Sequence, residues 1–241
     1  MTRRALIVTL VVGLGSFGLG YFVAMGKRLP SDPIEAVGHS SSAPASDVES
    51  SYWREKTSFF EAFATRASVV MIGDSLTDGA EWGEMFPGVA VVNRGIDGDT
   101  ARGILLRMRS ILSVHARKAF VMAGINDFAK EDRPVDAVFG DYRKIVSQLE
   151  ATGARVLVQS TLVCNAAMAG WIRCDAIQER IRQLNARLAT LVSPHVGYID
   201  LNAALAGKEG LKAEFTFDGV HLNGAGYRIW RREISNELLS P

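Results

Sequence analysis

The sequence is poor in residues that hold metals. It has two cysteines and four histidines in 241 residues. No H-E-x-x-H pair occurs, and no Cys/His cluster at ligand spacing, so neither a metal centre nor a cofactor is expected. Acids are missing from the first 30 positions, which hold Arg3, Arg4, Lys27 and Arg28. The net charge of +1 therefore hides a mildly acidic body, which speaks against nucleic acid as the main partner. Charge of either sign is missing from Ala5 to Met25. As a helix that stretch would reach roughly 30 Å, about the hydrocarbon thickness of a bilayer, and it exceeds the ~7–15 apolar residues of a usual cleaved signal.

Residues 1–28 thus read as a signal anchor or a signal peptide, with Ala24-Met25-Gly26 as a small-x-small cleavage site. Either way the body is expected to be exported. It is anchored to the inner membrane, facing the periplasm or the extracellular side, or secreted if the segment is cut. Gly13, Gly15 and Gly18 match the G-x-G-x-x-G of dinucleotide-binding folds. That motif needs an amphipathic helix next, however, and here the chain stays apolar to Met25 before meeting Pro30 and Pro33. Glycine in a membrane helix suffices as an account. Residues 29–50, rich in Ser, Pro and Ala, read as a flexible linker.

From residue 51 to 241 the pattern is that of a globular domain. The stretch 51–67 has helical spacing, with Trp53, Phe59, Phe60 and Phe63 on one broad face. Five short Val/Ile-rich runs follow, at 68–72, 89–92, 118–122, 155–159 and 196–199. They do not alternate strictly, as expected of strands buried on both faces. Helical patterns over 100–114, 135–149, 175–191 and 224–239 separate most of them. Such alternation predicts a parallel sheet with helices on both faces, and ligands beyond the carboxyl ends of its strands.

The residues at those ends carry the chemistry. Gly73-Asp74-Ser75 follows the first run, Asn93 to Thr100 the second, and Gly124-Ile125-Asn126-Asp127 the third. Asp218-Gly219-Val220-His221 precedes the last helix. A serine hydroxyl needs a base to become a nucleophile, and a carboxylate on the other ring nitrogen orients that base. The Ser75 and Gly98 amides and the Asn126 side chain could supply oxyanion donors. Asp200 and, more distantly, Asp127 rival Asp218 as the acid, and Gly95 rivals Gly98 as donor. Asp74 reads as a structural residue that ties its loop to backbone N–H groups.

"IGDSLTDG", "NRGIDGDT", "GIND" and "DGVH" together resemble the four motif blocks of the SGNH (GDSL) hydrolases, in order, over about residues 51–241. The stretch 73–108 is most similar to the branch holding the platelet-activating-factor acetylhydrolases and related lipase/acylhydrolases. The resemblance implies a flavodoxin-like, three-layer α/β/α sandwich with a five-stranded parallel sheet and no metal. It implies Ser75 as nucleophile, His221 and Asp218 as base and acid, and Ser75, Gly98 and Asn126 as the oxyanion hole. The expected activity is a serine esterase acting on a small-molecule, glycan or lipid ester. An O-acyltransferase of envelope glycans and a tethered binding module without catalysis are the alternatives. In an exported protein Cys164 and Cys174 can form a disulfide, closing a loop over the site in which Met168 and Trp171 could meet an acyl or alkyl group.

Overall fold

The computed structural model describes residues 50–240. The expected membrane segment and almost all of the linker lie outside the described residues, among which no helix is long and apolar enough to cross a membrane. The elements that frame the site are α1 (Ser51–Ala62), β1 (Val69–Gly73), α2 (Ser75–Asp78), β2 (Val91–Gly95), α3 (Ala101–Leu106), α4 (Met108–Leu112), β3 (Lys118–Met122), α5 (Ile125–Ala129), α6 (Val135–Glu150), β4 (Arg155–Gln159), α7 (Cys174–Leu188), β5 (Val196–Ile199) and α8 (Gly224–Leu239).

The five strands form one parallel sheet in the order β2-β1-β3-β4-β5. This is the flavodoxin-like winding, with its switch point between β1 and β3. Successive side chains on a strand point to opposite faces. Val70 and Ile72 enter one core with Val121 and Val158, against Tyr142 and Ile145 of α6 and Ile181 of α7. Val69 and Met71 enter the other with Phe120 and Leu157, against Trp230 and Ile234 of α8. Both faces are covered, so β1 and β3 are buried at every position and their sequences show no polar alternation.

Two helices depart from the periodic reading. The helix expected over 100–114 is broken at Arg107 (φ −111°, ψ 18°) into α3 and α4. The Arg107 side chain is buried and bonds across the ends of β1 and β2, which fixes the break. Helix α1 stops at Ala62, short of Phe63, and of the four aromatics expected on one face only Trp53 and Phe60 are buried, packing with Ile96. Neighbouring helical residues point about 100° apart, so one narrow contact stripe cannot bury both Phe59 and Phe60. Phe59 and Phe63, four apart, instead pack against each other at the surface with their rings tilted.

Candidate active site

Ser75 is the first residue of α2, directly beyond β1. Asp74 caps that turn, its Oδ1 accepting the Leu76 amide at 3.1 Å. The carboxyl is almost wholly buried. Burial raises its pKa to about 7; the Leu76 amide opposes this, and the charges of Asp99 and Asp127 add to it. A raised carboxyl makes the folded chain bind more protons than the unfolded one between about pH 4 and 7. Stability from this group is thus complete near pH 4 and is lost as pH rises through 7. Thermal melts across pH 5 to 8 are expected to show a falling midpoint, and Asp74→Asn should flatten part of that fall.

The turn before α8 delivers the base. His221 Nε2 lies 3.0 Å from Ser75 Oγ, across 146 residues of sequence. Its Nδ1 lies 2.7 Å from Asp218 Oδ2. Asp218 Oδ1 also accepts the amides of Val220 and His221, at 2.9 and 2.8 Å. Burial works against the Asp218 charge, but the bonds from the His221 ring and from these amides outweigh it and hold the carboxyl below its usual range. An ionised carboxylate only accepts, so Nδ1 carries the ring proton and Nε2 is left to accept from the serine. Gly219 makes this turn possible: its φ is +87°, and a Cβ there would come within 2.7 Å of the Ala169 amide nitrogen. The rival acids are engaged elsewhere. Asp127 is buried and bonds the Ala101 amide and Arg133, while exposed Asp200 accepts from the Asn202 amide.

Ser75 and Asn126 line one cleft, and Gly98 lines the neighbouring one, which shares Asp97 and Lys130 with it. The Ser75 and Gly98 amides have no acceptor among the described residues. Asn126, in the first turn of α5, spends one N–H on the Asp99 carbonyl at 3.0 Å and keeps its other free. Gly98 has φ +75°, a left-handed turn beyond β2. Gly95 is no donor, because its amide bonds Asn93 Oδ1 at 2.8 Å.

Sequence reasoning passed over the scaffold behind these donors. Asp99, next to Gly98, forms a fully buried ion pair with Arg107, at 2.7 Å. Its other oxygen accepts Trp53 Nε1 at 3.1 Å and the Thr100 amide at 2.9 Å. Arg107 in turn bonds the carbonyls of Gly73 and Arg94, at 3.3 and 2.8 Å. One guanidinium thus ties the ends of β1 and β2 to the loop that carries Gly98. No spacing signal marks Arg107, because Arg102 and Arg109 lie in the same helical pattern and are exposed.

The catalytic cleft has a volume of about 490 Å³ and is lined in part by Ser75, Asn126, Lys130, Trp171, Arg173 and His221. A larger groove, about 610 Å³, lies beside β5 and holds none of the converging residues. A disulfide joins Cys164, beyond β4, to Cys174 at the start of α7. The loop it closes lays Trp171 parallel to the His221 ring, with centroids 5.8 Å apart, and Phe217 stacks near the same ring at 6.0 Å. Both aromatics are exposed. Met168, on the same loop, is not part of the cleft wall.

A parallel sheet that gathers a serine, an imidazole, a carboxylate and open amides at its switch point has the form of an ester hydrolase. Residues 71–229 match the GDSL-like lipase/acylhydrolase family, and the chain belongs to that family. It is a carboxylic ester hydrolase. The rat platelet-activating factor acetylhydrolase IB subunit alpha1 is 26% identical over 180 residues, covering 71% of this chain and 75% of the relative. A GDSL-like lipase from Bacteroides thetaiotaomicron superposes with a TM-score of 0.66 at 25% identity, over 78% of this chain and 97% of that one. An acetylxylan esterase from Geobacillus stearothermophilus has the same fold, with a TM-score of 0.57 at 20% identity, over 73% of this chain and 95% of the other.

Proposed function

We propose that the protein is an exported, membrane-associated serine esterase that cleaves short acyl esters through an acyl-enzyme. Ser75 Oγ attacks the ester carbonyl while its proton passes to His221 Nε2. The carbonyl electrons move onto oxygen, which the Ser75 and Gly98 amides and the free Asn126 N–H stabilise. The C–O bond to the alcohol then breaks, and His221 returns the proton to the departing oxygen. Water repeats the sequence on the acyl-enzyme, releasing the acid and restoring Ser75. Asp218 stays ionised, fixing the tautomer and balancing the imidazolium.

The carrying observation is the continuous chain Ser75–His221–Asp218 at 3.0 and 2.7 Å, with Asn126 in the same cleft and the Ser75 amide without an acceptor among the described residues. A short acyl group such as acetyl is supported by two relatives whose names specify acetyl esters. Export is supported by the uncharged run 5–25 behind Arg3 and Arg4, and by a disulfide, which persists in oxidising compartments.

A fluorophosphonate probe is expected to label Ser75, seen as a mass increase on its peptide, and His221→Ala should abolish labelling. Labelling that persists unchanged in that variant would remove the base assignment. Asn126→Ala is expected to lower kcat for a 4-nitrophenyl acetate assay by roughly 10²–10³-fold, the cost of one oxyanion donor. An unchanged kcat would take Asn126 out of the hole.

A further inference from the structure

The two cations in the cleft have no role in the steps above. Lys130 follows α5, one turn beyond Asn126, and Arg173 follows Trp171 on the disulfide loop. Both side chains are exposed, and neither makes an ion pair or hydrogen bond among the described residues. Most of the other arginines and lysines around the site are tied down. Lys56 pairs with Asp78, Arg107 with Asp99, Arg133 with Asp127 and Asp141, and Arg180 with Asp132. Lys130 is also close to the reacting centre. A Cβ on Gly98 would come within 2.5 Å of its Nζ, so the ammonium lies over the Cα of that proposed oxyanion donor. Arg173 lines the same cleft, two residues along the chain from the indole that stacks on His221. Two carboxylates apart from the Asp218 of the catalytic turn bear on this space: exposed Asp97, which lines the cleft and pairs with neither cation, and Glu131, which lines the adjoining pocket with Lys130 and pairs with Arg133.

We propose that this cleft selects esters carrying a negative charge, such as a carboxylate, near the scissile acyl group, with Lys130 and Arg173 as the residues that recognise it. This inference rests on the esterase reading. An ammonium and a guanidinium without intramolecular partners are hydrated in the free enzyme, and an anionic substrate exchanges that water for charge-assisted hydrogen bonds. The guanidinium suits the planar, two-pronged geometry of a carboxylate, and the ammonium acts as a point charge. Trp171, exposed in the same cleft, adds apolar surface, which suits a substrate with a small apolar linker between its ester and its charge.

The test compares matched pairs of esters on the full chain. One pair places the charge on the acyl side: 4-nitrophenyl hemiglutarate against its carboxamide analogue. The other places it on the alcohol side: 4-acetoxybenzoate against 4-acetoxybenzamide. The anionic member of at least one pair is expected to show a kcat/KM roughly tenfold higher, in line with two exposed charge contacts. That ratio should fall toward one in Lys130→Met and Arg173→Met, and at about 0.5 M salt, where exposed charges are screened. Because the readout is a ratio within one enzyme, a variant that merely folds less well leaves it unmoved. Turnover of both members at equal rates in both pairs overturns the inference and leaves the esterase intact. Equal losses on charged and neutral esters in Lys130→Met also overturn it, and would assign the ammonium to the oxyanion instead. Absence of turnover on all four esters overturns the esterase reading, and this inference with it.

Discussion

Ser75→Ala is expected to lower kcat/KM for a short 4-nitrophenyl ester by roughly 10⁴-fold or more, with the fold intact. The size follows from what the hydroxyl does. Without it no acyl-enzyme forms, and water must attack the bound ester directly. The open amides of residues 75 and 98 and the Asn126 side chain would still stabilise the oxyanion, so a small residual rate should survive. Because Ser75, His221 and Asp218 act as one chain of hydrogen bonds, their losses should not add. Ser75→Ala combined with His221→Ala should be about as slow as either alone. Steady-state kinetics on the three variants, with circular dichroism to monitor folding, make the check. Near-native activity in Ser75→Ala would end the assignment.

Arg107→Met is expected to cost about 3–5 kcal/mol of stability, the usual result of leaving a buried charge without its partner. Both side chains of the Arg107–Asp99 pair are fully shielded from solvent. Burial already pushes the Asp99 carboxyl upward, and Arg107 is the main force opposing that rise. Methionine fills much of the arginine volume, so the loss reads out charge and hydrogen bonding rather than a cavity. Activity should fall as well, since the Asp99 carbonyl holds Asn126 and Arg107 bonds the strand ends on either side. Arg107→Lys should recover part of the stability, because an ammonium keeps the charge but cannot make the same fork of bonds. Denaturant midpoints measure both variants. A cost under about 1 kcal/mol for Arg107→Met would mean that Asp99 finds another way to neutralise its charge.

Much of the sheet was legible because its strands obey a simple rule: short, β-branched and apolar on both sides. β3, β4 and β5 run over the residues that the apolar runs mark. β1 reaches one residue further, to Gly73, and β2 three further, over Asn93, Arg94 and Gly95, since glycine and polar residues carry no hydrophobic signal even where they complete a parallel ladder. The residues at the site were legible from chemistry rather than periodicity, because few residue types can do proton transfer and nucleophilic attack. The support behind them was hidden. Nothing in a pattern of apolar spacings says that Arg107 turns inward, or that Trp53 reaches across 46 residues to Asp99. Those contacts join segments distant in sequence, and they depend on the sheet being assembled first. For the same reason the sequence leaves both Gly95 and Gly98 as candidate donors, whereas in the fold the Asn93 side chain occupies the Gly95 amide.

The reach of α1 bears on where this enzyme can be cut. The family match begins at residue 71, yet Trp53 lies upstream of it and seals one side of the buried Asp99 while packing on Ile96. A fragment trimmed to the shared core would uncover an apolar isoleucine and wet an ion pair directly behind the loop of Gly98. The twelve-residue helix is therefore a working part of the hydrolase, and a trimmed version that keeps it has to start no later than the Ser50 cap that starts it.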